Sequence, residues 1–163
     1  MPQVQRAFVK IVEITNAEQK SNSVADIIRT LPEWFGIPAS NEHYIGEAAS
    51  KDVFAAHNDL NRAVGLIALR YHFQTTAEIW WMGVKPEYHR RGIGTLLFEA
   101  ARSRAKENGC RTLAVMTLSP RSADSSYART RAFYERQGFR LFLELNETDP
   151  WNPLAWMTRK VEE

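Results

Sequence analysis

Apolar positions along the chain fall into two rhythms, which predict seven strands and three helices. Residues Phe8 to Ile14 are β-branched and apolar and read as a first strand. Val24, Ile27, Ile28 and Leu31 then recur at helical spacing behind Ser23, a residue type that caps helices. Pro32 stands where that pattern would continue and should end it. Glu33 to Ser40 is aromatic and turn-rich, and reads either as a loop pinning two elements or as the wall of a cleft. Lys51 to Ala56 and Arg62 to His72 read as strands joined by a turn at Asn58 to Asn61. A fourth strand, Ala77 to Val84, is apolar on both faces apart from Glu78, as a covered central strand would be.

Pro86 closes that strand, and a helix opens at Ile93, with Leu96, Leu97, Ala100, Ala101 and Ala105 on one face. Asn108-Gly109 supplies a left-handed stop. Thr112 to Leu118 is a buried-strand pattern, so strand, helix and strand make a βαβ unit with parallel strands. After a polar loop, Ser125 or Ser126 can cap a helix from Tyr127 to Gln137. Gly138 ends it, and Phe139 packs back on Phe133 or Tyr134. Leu141 to Leu145 and Leu154 to Val161 are the last strands, separated by the proline-rich Asp149 to Pro153. The expected fold is α/β (α+β): a mixed, mostly antiparallel central sheet flanked by helices, in one domain over residues 1–163.

The junction between the fourth strand and the following helix carries the first chemical signal. It reads His89-Arg90-Arg91-Gly92-Ile93-Gly94-Thr95, a basic turn with two glycines opening directly into a helix. Unpaired N–H groups at a helix N-terminus favour an anion, and arginine forks two hydrogen bonds onto phosphate oxygens. Two familiar phosphate loops are excluded. Leu97 stands where a dinucleotide fingerprint needs its third glycine, and no Gly-Lys-Ser/Thr ending is present.

Composition narrows the ligand only slightly. Apolar content of 44% and charged content of 25% are ordinary for a globular chain, and an aromatic share of 11% is on the rich side. A net charge of +2 with scattered basic residues argues against nucleic acid. No apolar run reaches membrane-spanning length and the start lacks a signal region, so a cytoplasmic protein with no membrane partner is expected. One cysteine rules out an internal disulfide. Cys110, entering a buried strand, reads as an inert small hydrophobe. Four histidines without ligand spacing imply no metal.

On the turn His89-Arg-Arg-Gly92-Ile-Gly94 the chain resembles the GNAT superfamily of acetyl-CoA-dependent N-acetyltransferases, whose turn reads Gln/Arg-x-x-Gly-x-Gly/Ala. The order of elements agrees with the family over nearly the whole chain, and His89 in the first position is the one departure in this turn. The resemblance implies that the amides from Arg91 to Thr95, through Gly92, Ile93 and Gly94, cradle the cofactor pyrophosphate, with His89 and Arg90 beside them. It implies that Met82, Gly83 and Val84 bind pantetheine through their main chain. It implies too that the parallel strand pair splays apart to admit acetyl-CoA.

A second match is Ala132-Phe-Tyr-Glu-Arg-Gln-Gly-Phe139, where Tyr134 takes the place of the family tyrosine that meets the cofactor sulfur. Seven and four residues before it the family often has Asn and Ala; here Tyr127 and Thr130 stand there, Tyr127 on the cofactor side. Glu78 matches the position from which some members take their general base. His72, Glu42, Glu144 and an ordered water are the competing bases.

The expected activity is transfer of an acetyl group to a primary amine by direct attack in a ternary complex. The alternative is a non-catalytic acyl-CoA-binding sensor on the same fold. The acceptor would be a small-molecule or peptide amine, with Trp34, Phe35 and Trp151 as candidate cleft residues. Oligomeric state is open, a homodimer included. Arg129, Arg131, Arg136 and Arg140 read as a solvated helix face, from which one or two could touch phosphate.

Overall fold

In the computed structural model, which describes residues 8–145 and 152–162, seven strands form one sheet in the order β1-β2-β3-β4-β5-β7-β6. The strands are β1 (Lys10–Ile14), β2 (Asp52–His57), β3 (Ala63–His72), β4 (Thr76–Val84), β5 (Thr112–Leu118), β6 (Arg140–Leu145) and β7 (Leu154–Lys160). The helices are α1 (Ala17–Ile28), α2 (Pro38–Glu47), α3 (Ile93–Glu107) and α4 (Ser125–Arg136). The sheet is mixed and mostly antiparallel, as expected. Its parallel pair is β4 with β5, in register from Thr76↔Thr112 to Ile79↔Val115, whereas β4 itself continues to Val84. The proline-rich segment before β7 and Trp151 fall largely outside the described residues.

Two groups of residues pack as separate compact units. The first comprises the described residues through Arg70, together with Trp81–Ser103. Its core is built by Val24, Ile27 and Ile28 of α1, Leu31, Val53, Ala55 and Ala56 of β2, the continuous run from Val64 to Leu69 of β3, and Ile93, Leu97, Phe98 and Ala101 of α3. The second comprises Tyr71–Trp80 and the described residues from Arg104 on. Leu113 and Val115 of β5, Tyr134 and Phe139, and Ala155 and Met157 of β7 fill its interior. Among the described residues no helix is long and apolar enough to cross a membrane.

Several boundaries differ from expectation for identifiable reasons. α1 starts seven residues before its apolar stripe, because Asn16 caps it: its Oδ1 accepts from Gln19 N at 2.9 Å. Ser23 therefore lies inside the helix, and Leu31 packs just beyond its end. α2 was not expected at all. It begins at Pro38, a favoured first helical residue, but none of its ten residues is buried, so it has no apolar stripe to read. α4 is capped by Asp124, whose Oδ1 accepts from Tyr127 N at 3.0 Å, rather than by Ser125 or Ser126. On α3, Leu96 is exposed and Phe98 takes its place in the core. The helix stops behave as expected. Gly109 has φ 75 and Gly138 φ 89, and Phe139 N donates to Tyr134 O at 3.0 Å.

Candidate functional site

The first unit carries the basic turn. β4 ends at Val84, and Lys85 N donates to Val64 O at 2.8 Å, fastening the strand end to β3. A single 3-10 turn, Pro86–Tyr88, leads to His89, whose Nε2 donates to Val84 O at 2.6 Å. The His89 ring also meets Trp34 edge-on, with centroids 5.8 Å apart. Arg90 follows with φ 59 and Gly92 with φ 77, so two left-handed residues flank Arg91. Such a conformation costs a non-glycine residue about 1 kcal/mol and turns successive N–H groups toward a common concavity. Leu96 N donates to Gly92 O in the first turn of α3, so the backbone of Ile93 and Gly94 stands at the helix N-terminus.

Arg90, Arg91, Gly92 and Thr95 are exposed, and the Arg91 guanidinium lies 5.5 Å from the centre of the Tyr88 ring. Ile93 is fully buried, so only its backbone is available to a ligand. Chemically the turn is an exposed, cationic, amide-rich surface at the positive end of a fifteen-residue helix. Upstream, Met82 and Val84 are partly exposed, while Gly83 is buried beside Trp81. A Cβ on Gly83 would stand 2.6 Å from Trp81 Cη2 and 3.0 Å from Leu31 Cδ1, so only glycine permits this approach. Phe35 packs on Trp81 at 5.3 Å and on Tyr44 at 6.0 Å, which joins the aromatic segment to β4.

The second unit carries the other two candidate groups. Glu78 is buried, and its Oε2 lies 2.6 Å from His72 Nε2. Two of the competing bases are thereby brought together. Glu144 is engaged elsewhere: its Oε1 accepts from Ser119 Oγ and lies 3.2 Å from Arg121 Nε. Glu42 is an exposed residue of α2, in the first unit. The pairing of His72 with Glu78 escaped sequence reasoning, although the short turn at 73–75 between β3 and β4 was a usable signal.

Tyr134 lies on α4 with its ring against Phe139 at 5.5 Å and Phe133 at 5.4 Å. It is buried, not half-buried. Burial pushes its phenol well above the usual tyrosine range, and Tyr127 adds to the rise. Tyr127 itself is partly exposed in the first turn of α4.

The basic run does not form a single solvated face. Arg129, Arg136 and Arg140 are exposed, but Arg131 is buried and donates to Leu118 O at 2.8 Å and Ser119 O at 3.3 Å. A long cationic side chain one turn from exposed arginines is spent on backbone carbonyls at the end of β5, a role that charge counting does not reveal. Cys110 is buried, which raises its thiol above the ordinary value and keeps it out of thiolate chemistry. Among the described residues no group of three His, Cys, Asp or Glu side chains is placed to hold a metal ion.

No curated protein matches the chain by sequence. Solved structures do match its fold. An acetyltransferase assigned to the GNAT family, from Desulfovibrio desulfuricans, is 19% identical with a TM-score of 0.80, covering 94% of this chain and 99% of that one. Aminoglycoside 6'-acetyltransferase type Ii is 23% identical with a TM-score of 0.75, over 94% and 98%. A GNAT family acetyltransferase from Elizabethkingia anophelis, solved with acetyl-CoA bound, is 18% identical with a TM-score of 0.69, over 93% and 97%. The sequence model of the acetyltransferase (GNAT) domain matches residues 49–141, more than half of the chain, from β2 through α4. With that match, this chain belongs to the GNAT acetyltransferase family.

Proposed function

We propose that the chain, acting as one domain, is an N-acetyltransferase that moves an acetyl group from acetyl-CoA to a primary amine by direct attack in a ternary complex. One observation carries the reading: a family member whose β4 leads into an exposed cationic turn, with left-handed Arg90 and Gly92, at the open N-terminus of α3. The acetyl-CoA bound to the Elizabethkingia neighbour supports the same co-substrate, and the aminoglycoside acetyltransferase neighbour supports an amine acceptor.

Acetyl-CoA is a substrate here, consumed at each turnover. Its pyrophosphate is assigned to the amides from Arg91 to Thr95 with Arg90 alongside, and its pantetheine to the main chain of Met82, Gly83 and Val84. His89 is assigned to the same grip, with its Nε2 donating to Val84 O. Tyr127 is assigned to the cofactor side of α4. The amine must lose a proton to attack the thioester, and Glu78 supplies the negative charge that this step needs. Strand amides stabilise the tetrahedral intermediate.

Tyr134 is assigned to the departing sulfur. A reference phenol of pKa about 10 facing a thiol of about 8.5 already donates uphill by about 2 kcal/mol. Burial raises the Tyr134 phenol further. Tyr134 therefore keeps its proton and stabilises the thiolate by hydrogen bonding. The deciding experiment is thiol release from acetyl-CoA across an amine panel. Turnover on at least one amine supports the enzyme, whereas calorimetric binding of acetyl-CoA without any turnover would make the chain a sensor.

A further inference from the structure

We infer that the group receiving the amine proton is His72, with Glu78 behind it as the carboxylate that orients the imidazole and balances its charge. The inference rests on the acetyltransferase reading and deepens it by naming the group that takes the amine proton. Its basis is an asymmetry of burial across one short contact. Glu78 Oε2 and His72 Nε2 are 2.6 Å apart, yet the Glu78 side chain is 3% exposed and that of His72 39%. A carboxylate so enclosed offers an incoming amine almost no surface. The imidazole offers more than a third of its own.

Chemistry fixes the division of labour. An ionised carboxylate only accepts hydrogen bonds, so Nε2 carries the ring proton and donates it toward Glu78. The lone pair of the neutral ring then sits on Nδ1. When Nδ1 takes a proton, the imidazolium charge forms against a carboxylate already in place. This is the role that a buried carboxylate plays behind a histidine base in acyl-transfer triads.

The backbone holds the pair together. His72 ends β3, and the next two residues, Phe73 and Gln74, have φ 53 and 60, a left-handed turn built without glycine that returns the chain to β4. In the reaction, the amine nitrogen bonds to the thioester carbonyl carbon and its excess proton passes to Nδ1. The C–S bond breaks with its electron pair on sulfur. Imidazolium and thiolate then settle one proton through solvent, so that amine and acetyl-CoA give amide and free thiol with the histidine neutral again.

The test is kinetic, on the full chain with the best amine of the panel. His72→Gln keeps a donor for Glu78 but has no basic nitrogen, and should lower kcat roughly 100-fold while leaving acetyl-CoA affinity and melting temperature unchanged. His72→Ala should fall as far and regain rate when free imidazole is added. Wild-type kcat in His72→Gln would overturn the inference and leave the enzyme reading standing. Loss of acetyl-CoA binding together with rate would also overturn it, by making His72 a structural residue. Absence of turnover by the wild-type chain on every amine would remove the acetyltransferase reading and this inference with it.

Discussion

His89 holds the end of β4 to the basic turn: its Nε2 donates to the Val84 carbonyl at 2.6 Å, across the single 3-10 turn Pro86–Tyr88. A clasp of this kind fixes where the strand stops and where the amides of the turn begin. His89→Ala removes one neutral hydrogen bond and an edge-on contact with Trp34, worth about 1 kcal/mol together. The loss should appear as acetyl-CoA binding weakened roughly fivefold in calorimetric titration, with little change in melting temperature. Unchanged affinity would mean that the clasp does not shape the turn.

Gly92 and Gly109 make a matched pair for testing the turn. Their φ angles are 77 and 75, and a Cβ on either would meet nothing within 4 Å. Alanine at each should therefore cost the same left-handed conformational penalty, about 1 kcal/mol, without a clash. The readouts should differ. Gly92→Ala is expected to weaken acetyl-CoA binding by about tenfold, because the turn must distort to relieve the strain. Gly109→Ala, at the far end of α3, should lower the melting temperature and leave affinity as it was.

The parts of this protein that read well from sequence are those in which a repeat or a break has one cause. β5 was delimited residue for residue because an uninterrupted apolar run is bounded by Gly109 and a polar loop. The turn at Arg90–Gly94 was legible because glycines beside arginines at a helix start have few other uses. α2 was not, since its exposed residues carry no stripe and its N-cap is Ile37, which makes no side-chain bond there. The α1 and α4 caps were misplaced toward the nearest serine, when Asn16 and Asp124 hold the free N–H groups. The pairing of His72 with Glu78 and the buried role of Arg131 were missed for a different reason. Arg131 meets carbonyls thirteen and twelve residues away, which spacing does not encode, and His72 meets Glu78 only once the turn at 73–75 is recognised.

Tyr134→Phe separates hydrogen bonding at sulfur from packing. The ring stays between Phe133 and Phe139, so folding and acetyl-CoA affinity should change little while kcat falls by about tenfold. Equal losses in kcat and affinity would count against the assignment. The same variant tests the phenol's environment. Its pKa is raised in the folded chain by burial, so the folded state holds a proton that the unfolded state releases once pH exceeds about 10. The stabilisation is complete below that pH and declines above it. Wild-type melting temperature should accordingly drop faster than that of Tyr134→Phe between about pH 9 and 11.

Arg131 offers the strongest stability prediction in the second unit. Its guanidinium is buried and serves the carbonyls of Leu118 and Ser119, where β5 gives way to the loop before α4. Arg131→Ala leaves both acceptors without this donor and opens a cavity, so a loss of about 2–3 kcal/mol is expected in denaturant unfolding. Arg131→Lys keeps the charge but not the planar guanidinium whose Nη1 serves both carbonyls, and should recover only part of it. Arg136→Ala, one of the exposed arginines of the same helix, should lie within about 0.5 kcal/mol of wild type. If all three variants unfolded alike, the carbonyls of Leu118 and Ser119 would not depend on Arg131, and the prediction would fail.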